Sequence, residues 1–357
     1  MVSGRRDDFE LSRLILDANQ DFARRVRYCP DRKTNVGRIY YCDEATGIWK
    51  QKSEPFMEVL ILDCVKRSPT GTLTAKEIMY VNTRCGTKNL LYAAARVLID
   101  TRFDERLDAN LDCFALNNIL VTVDAGADHA RRYILPGDFI KTTAGWRYDE
   151  DLAALHRGDV ALFFEQLLPV PEERKAVLAF FASSLSGRHN SKKKLLALVD
   201  TLNPKGLQGN SGKSAMLALM GGFFGGYVYM CTTSYDEPFE SDRLVIADER
   251  FLNIVHKKFI AGGVDGMTDV RPSRSATRAD FVWQPNIVFG FSEGDLPKFS
   301  RGDADFVQHL LVVPMRSKFV AAMPRRPDQH TLLLERHISE KFPRWRSALL
   351  DILLESL

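Results

Sequence analysis

No apolar run in this chain reaches the roughly 18 residues that a membrane-spanning helix needs. The opening residues, Met1 to Asp8, lack the apolar core of a secretory leader. Cysteine is sparse and scattered. Cys29, Cys42, Cys64, Cys85, Cys113 and Cys231 show none of the paired spacing of a metal site, so a reducing, intracellular home and a soluble chain are expected. The seven histidines form no cluster, and no metal site of protein ligands alone is expected. A dominant charge is missing too. The net charge of +3 leaves any contact with nucleic acid to local basic clusters rather than to a global field. Internal repeats, low-complexity tracts and a Ser–His–Asp or Cys–His pattern are also absent from the sequence.

What is present is ordinary globular composition: 357 residues, 45% hydrophobic and 27% charged, enough for two or three domains. Phe9 to Val26 carries helical periodicity through Phe9, Leu11, Leu14, Ile15, Ala18 and Phe22. Arg38 to Asp43 and Gly47 to Lys50 read as a hairpin with its turn at Asp43 to Gly47. Met57 to Val65 and Leu90 to Ile99 read as helices, and Asn118 to Val123 as a strand. Pro136-Gly-Asp and Gly145-Trp-Arg-Tyr-Asp mark turns around a second hairpin. Leu152 to Leu185 is helical, broken at Pro169 and Pro171. The expected division is an N-terminal mixed α+β domain over 1–155 and a second domain over 156–357.

In the second part, five short apolar segments read as strands: Leu195 to Val199, Tyr227 to Cys231, Leu244 to Ala247, Asn286 to Phe291 and Leu310 to Val313. Alternation with helical stretches predicts an α/β fold with a mostly parallel central sheet and helices on its faces. Phe342 to Leu357 reads as an amphipathic helix with Trp345, Leu349, Leu350, Ile352 and Leu353 inward and Arg344, Arg346 and Glu355 on a solvated rim. The tryptophans Trp49, Trp146, Trp283 and Trp345 sit beside apolar residues and are expected to pack.

The strand Leu195 to Asp200 leads through a Gly/Pro-punctuated stretch into Gly209-Asn210-Ser211-Gly212-Lys213-Ser214. This is the pattern of a phosphate-binding loop. Backbone N–H groups from Gly209 to Lys213 can cradle phosphate oxygens, Lys213 can reach the outer phosphates, and Ser214 can hold Mg²⁺. The following helix turns its positive end toward the phosphates and is expected to stop at Gly221-Gly222. The motif departs from its usual form, with Leu207 where the first glycine stands and glycines at Gly206 and Gly209. Thirty-five residues beyond Lys213, an apolar strand ends in Asp248-Glu249. There Asp248 would hold the metal and Glu249 would orient and deprotonate water. Such a set covers phosphoryl transfer, which needs mostly positioning and charge neutralisation. ATP and Mg²⁺ are the expected ligands.

From Leu195 to Phe319 the chain resembles the motor domain of superfamily 3 helicases of the poxvirus primase–helicase type. The carriers are Gly-Asn-Ser-Gly-Lys-Ser, the Asp-Glu strand end, His256-Lys-Lys-Phe-Ile-Ala-Gly-Gly, Phe289-Gly-Phe-Ser-Glu-Gly-Asp-Leu-Pro, and Asp303-Ala-Asp-Phe with Leu310-Leu-Val-Val-Pro-Met. Tyr40 to Trp49, Phe114 to Leu120 and Pro136 to Thr143 resemble the domain preceding that motor. The resemblance implies an AAA+-like P-loop NTPase working as a hexameric ring around single-stranded DNA in viral genome replication, in the nucleus or cytoplasm of a host cell. It also implies that a basic hairpin, here Arg271, Arg274 and Arg278, grips the nucleic-acid backbone. No aspartate triad of a primase-type polymerase stands out, so priming is expected on a separate primase or polymerase or on a segment preceding this one.

Two positions depart from the family. Its third motif usually ends in a polar residue plus Asn, and here Ser292 and Glu293 stand there, leaving Ser292 or a neighbour to sense the γ-phosphate. The family's arginine before the Leu-Val-Val-Pro strand is replaced by Gln308-His309. His309, Arg301 and Arg316 are the candidates for reaching a neighbouring subunit's site. These departures keep a second reading open, a scaffold that binds ATP and turns it over weakly. A small-molecule kinase is a third, though no acceptor pocket or set of lid arginines is evident. Lys192 to Lys194 reads as a soluble lead-in to the strand.

Overall fold

The structure is a computed structural model that describes residues 6–30, 37–123, 129–188, 194–200, 210–231, 242–247, 252, 286–292, 304–325 and 327–357. It divides into two compact units, Met1–Ala109 with Tyr133–Lys141, and Asn110–Arg132 with Thr142–Leu357. The partition first falls at 109/110, upstream of the 155/156 division expected from sequence, and the chain crosses between units three times. Among the described residues no helix is long and apolar enough to cross a membrane.

The first unit opens with α1 (Asp8–Ala18) and α2 (Gln20–Arg24), followed by β1 (Val26–Cys29). The single helix expected over Phe9 to Val26 is thus interrupted. Asn19 leaves helical geometry at φ −127°, and its side-chain amide donates to the carbonyls of Ile15 and Cys64. That polar link stabilises a break that hydrophobic spacing does not register. Two residues assigned to the apolar face, Phe9 and Ala18, are exposed, while Leu11, Ile15, Leu16 and Phe22 are buried. The hairpin of β2 (Arg38–Cys42) and β3 (Trp49–Lys52) forms as expected, with Cys42 opposite Trp49. Asp43 shapes its turn by accepting from the amides of Ala45 and Thr46. With β1 it makes an antiparallel sheet ordered β1-β2-β3. Helices α3 (Glu54–Arg67), α4 (Ala75–Val81), α5 (Arg84–Val97) and α6 (Phe103–Arg106) complete the unit. Its main core joins Leu11 and Ile15 to Met57, Ile61, Leu90 and Leu91.

In the second unit, β4 (Cys113–Ala115), β5 (Leu120–Thr122) and β6 (Arg131–Arg132) form a small antiparallel sheet. The second hairpin expected around 136–149 is absent among the described residues. Pro136–Asp138 is a 3-10 turn in the first unit, and 142–149 runs as irregular chain beside β4. There the amide of Ala144 donates to Ala115, and Trp146 accepts from Asn117 through its carbonyl. The glycines and polar residues that mark a turn serve here as an extended brace. Helices α7 (Glu150–Leu167) and α8 (Pro171–Ser183) follow, separated near the two prolines as expected.

The main sheet has five parallel strands: β7 (Leu195–Asp200), β8 (Val228–Cys231), β9 (Leu244–Ala247), β10 (Asn286–Ser292) and β11 (Leu310–Met315). Their order is β11-β7-β10-β9-β8. All six residues of β7 are buried, as an interior parallel strand covered on both faces requires. One face carries Leu196, Leu198, Ile246 and Val288 against α9 (Lys213–Phe224) and the C-terminal helix Ile338–Leu354. The opposite face carries Leu195, Ala197, Val199, Phe289 and Phe291.

Helix α9 does not stop at Gly221-Gly222. It runs through them and ends at Gly225, whose φ is +52°. Phe223 and Phe224, fully buried, hold the extra turn in the core, and the Trp146 indole donates to the Phe223 carbonyl at 2.6 Å. Burial of two aromatic rings outweighs the weak helix propensity of the glycine pair. Trp49, Trp146 and Trp345 are buried, and Trp283 lies outside the described residues. Arg346, expected on a solvated rim, is only partly exposed. Its guanidinium lies over Gly222, and burial lowers its pKa. Arg344 and Glu355 are exposed.

In the first unit, Glu77 is 2% exposed. It accepts from Arg6 Nε and Nη2 at 2.8 Å each and caps α4 through Thr74. The Arg6 guanidinium holds its carboxyl well down, at about 2 against an ordinary 4.5. This stabilisation is therefore present above pH 4.5 and is lost as pH falls toward 2. Glu77→Gln is expected to cost about 1.5–3 kcal/mol at neutral pH, measured by chemical denaturation. The difference from the parent chain should shrink as pH falls below 4.5.

Candidate nucleotide-binding site

Parallel strands carry ligands in the crevice outside their C-terminal ends, because helix N-termini and loops converge there. Here that rim is formed by Asp200 on β7, Ser292 on β10 and Met315 on β11, with Asp200 in register with both neighbours. After Asp200 the next described residue is Asn210, which leads through Ser211 and Gly212 into α9.

Gly212 is the residue before α9, and its φ of +80° lies in the left-handed region. A Cβ there would stand 2.1 Å from Leu167 Cδ2 and 3.0 Å from Phe319 Cε2. Glycine is thus required both by backbone conformation and by close packing. The approach is braced from two sides. The Phe319 amide donates to the Asn210 carbonyl at 2.8 Å, and the Ser317 hydroxyl donates to the Gln166 carbonyl at the end of α7. Ser211 is buried, while Asn210 and Ser214 are exposed.

Among the described residues no side chain caps the N-terminus of α9, and no acidic residue lies in its first turn. A helix of this length presents outward-pointing amides and the positive end of its dipole to whatever occupies the rim, a setting suited to an anion. Lys213 is half-buried, and its ammonium donates to the Phe291 carbonyl at 2.5 Å. This contact places the one cation of the motif at the ends of β7 and β10. The donors present suit a triphosphate with its metal: uncapped amides, an ammonium at the rim and an exposed hydroxyl on Ser214.

The remaining expected site residues fall into two groups. Gly209, Asp248, Glu249, Arg271, Arg274, Arg278 and Arg301 lie outside the described residues. The last described residue of β9, Ala247, is aligned with Phe289 of β10. Ser292, His309 and Arg316 are placed. Ser292 ends β10 beside Asp200. His309 precedes β11 and accepts from the Leu195 amide at 2.8 Å through its carbonyl, so it lies at the N-terminal ends of the strands, across the sheet from Lys213. Arg316 follows β11 on the same rim as Lys213 and is ion-paired with Glu173 of α8. The structure therefore brings Lys213, Ser292 and Arg316 to one rim and sets His309 at the other. Lys194, read as part of a soluble lead-in, donates to the Gln308 carbonyl at 2.5 Å.

One residue at the rim was given no role by sequence reasoning. Asp200 is 5% exposed. The only sequence signal was a carboxylate ending an otherwise apolar strand, the feature that singled out Asp248.

No family model matches the chain, and no curated protein does. Two solved structures, both titled as A-form apo structures of the NrS-1 C-terminal region, are similar to it. One shares 8% identity over 97% of this chain and 69% of its own, with a TM-score of 0.46. The other shares 7% identity over 98% and 69%, with a TM-score of 0.48.

Gly212→Ala is expected to cost about 1–2 kcal/mol from the left-handed backbone alone. The fall in thermal midpoint should clearly exceed that of Ser214→Ala, whose side chain is exposed.

Proposed function

We propose that this chain is an ATP-dependent DNA helicase motor of viral genome replication, coupling hydrolysis of Mg²⁺–ATP to movement along single-stranded DNA in an oligomeric ring. The observation that carries the proposal is the position of Lys213. It begins a helix that follows the interior strand β7, at the strand ends where parallel sheets bind ligands, with its ammonium beside β10. The strand order supports the same reading, since β10 lies between β7 and β9, the strand that Asp248 and Glu249 directly follow in sequence.

In this scheme the amides from Gly209 to Lys213 and the Lys213 ammonium bind the phosphates. Ser214 and Asp248 hold Mg²⁺, Glu249 activates water, and Ser292 senses the γ-phosphate. Charge on the transferred phosphoryl group is neutralised by fixed donors that need no reorganisation. Arg271, Arg274 and Arg278 grip the DNA backbone. The resemblance to poxvirus-type helicases supplies the ring, its hexameric number and a separate primase or polymerase as partner, acting in the infected cell.

One observation favours a second reading, an ATP-binding scaffold with weak turnover. A residue that acts across a subunit boundary needs a cation free to reach outward, yet Arg316 is ion-paired with Glu173 of its own chain. Arginine fingers contribute about 10³-fold or more to rate. Turnover measured with and without single-stranded DNA, at concentrations that allow assembly, separates the readings. DNA-stimulated hydrolysis identifies a motor, and tight ATP binding with negligible turnover identifies a scaffold.

Lys213→Ala should lower ATP turnover by about 10²-fold or more while the chain stays folded; unchanged hydrolysis would remove the site. Arg274→Ala combined with Arg278→Ala should weaken single-strand binding and reduce the slope of log affinity against log salt by about 1.4. An unaltered salt dependence would refute the contact with DNA.

A further inference from the structure

Two residues, Asn82 and Thr83, join α4 to α5 in the first unit. The joint is tied at several points. The Thr83 hydroxyl donates to the Tyr80 carbonyl at 2.7 Å and accepts from the Gly86 amide at 3.0 Å. The Thr87 hydroxyl donates to the Val81 carbonyl at 2.5 Å. A Cβ on Gly86 would stand 2.0 Å from the Tyr80 carbonyl oxygen, so glycine is needed for the second helix to start this close to the end of the first. Such a joint fixes the direction of α5 against α4.

The inward side of α5, with Leu90, Leu91 and Ala94, shares a core with Leu11 and Ile15 of α1 and Met57 and Ile61 of α3. The other side gathers Arg84, Cys85, Lys88, Asn89, Tyr92 and Arg96 within an arc of about 140°. All six are exposed. Surface helices commonly mix charges of both signs, as α3 does with Glu54, Glu58, Asp63, Lys66 and Arg67. Helix α5 has three cations and no carboxylate. Among the described residues Arg84, Lys88 and Arg96 form no ion pair, whereas Arg25, Arg38 and Arg106 of the same unit do. The one carboxylate of α4, Glu77, is buried and taken by Arg6. Arg84 and Lys88 are like charges four residues apart, an arrangement that destabilises an isolated helix. A polyanion laid along this face relieves that repulsion.

We propose that α4 and α5 form a helix-turn-helix and that the outer face of α5 docks in the major groove of double-stranded DNA. A helix about 10–12 Å across matches a groove about 12 Å wide. Arg84 to Arg96 spans about 18 Å at 1.5 Å per residue, the rise of about five base pairs at 3.4 Å each. Lys88 and the arginines can reach phosphates or guanine edges, and Asn89 is the side-chain type that pairs with adenine. The tied joint presents this face in one orientation, as the second helix of such a motif requires. The contact is separate from the phosphate site at Lys213 and from the single-strand contacts proposed for Arg271, Arg274 and Arg278, and it depends on neither.

The test uses the full chain without nucleotide and a fluorescent 20-base-pair blunt duplex, with binding followed by anisotropy over a range of salt. Lys88→Ala combined with Arg96→Ala should weaken duplex binding about tenfold at 0.1 M salt and reduce the slope of log affinity against log salt by about 1.8. Lys175→Ala combined with Arg344→Ala, an equal loss of charge at exposed positions on α8 and the C-terminal helix, should change affinity by less than about twofold. Affinity for a single strand of the same length should stay within about twofold in Lys88→Ala with Arg96→Ala. The second readout needs no variant. Cys85 is the one exposed cysteine among the described residues and lies on the docking face. Saturating duplex should slow its alkylation by iodoacetamide at least threefold, measured by mass spectrometry.

A parent chain that does not bind the duplex even at low salt overturns the proposal. Equal losses in the two double variants also overturn it, because a general field and not this face would then hold the DNA. Equal losses for duplex and single strand overturn the groove, leaving only phosphate contact. A Cys85 rate unchanged by saturating duplex removes α5 as the docking face, and this outcome is readable even where a variant does not fold. Loss of single-strand binding in Arg274→Ala with Arg278→Ala, with duplex binding intact, leaves the proposal standing.

Discussion

The packing of α9 against the central strands is the constraint from which the rest of the candidate site follows. Met216, Leu219 and Met220 share one buried core with Leu196, Leu198 and Val288, and Phe223 and Phe224 extend that core by a further turn. Fully burying large apolar side chains stabilises by roughly 1.5–3 kcal/mol each, so this seam locates the helix firmly. Once it is located, the N-terminus of α9 can lie only at the C-terminal ends of β7 and β10. The polar features of the rim are consequences of an apolar interface several residues away.

The rim gathers positive potential without a large net charge. An uncapped helix start, a first turn free of carboxylates and the ammonium of Lys213 act together over a short distance. Their effect depends on the low-dielectric sheet beneath them, where fields are less screened than in water. A chain with a net charge of only +3 thus concentrates positive potential at one place. Gly212 admits the sharp entry to the helix, while Leu167 and Phe319 close around it.

Much of this was legible in advance where the signal is local. All five parallel strands lie where apolar runs placed them, with β8 starting one residue later, β7 and β10 extending one residue further and β11 two. The first hairpin follows from Asp43 and the flanking alternation. The misreadings share one cause. The break at Asn19, the continuation of α9 past its glycines, the brace in place of a second hairpin and the partial burial of Arg346 all depend on what a segment packs against. Hydrophobic spacing within a segment carries no record of its partner.

By itself the sequence determined the alternation of apolar strands and helices, the glycine that precedes α9 and the lysine that begins it. These depend on backbone sterics and on periodicities of two and 3.6 residues, both of which act over a few neighbouring positions. Tertiary structure alone decided the strand order, the burial of Asp200, the pairing of Arg316 with Glu173 and the separation of His309 from the Lys213 rim. These are outcomes of pairing between segments far apart in the chain, where many arrangements satisfy the same local patterns and only joint burial of both sheet faces selects one.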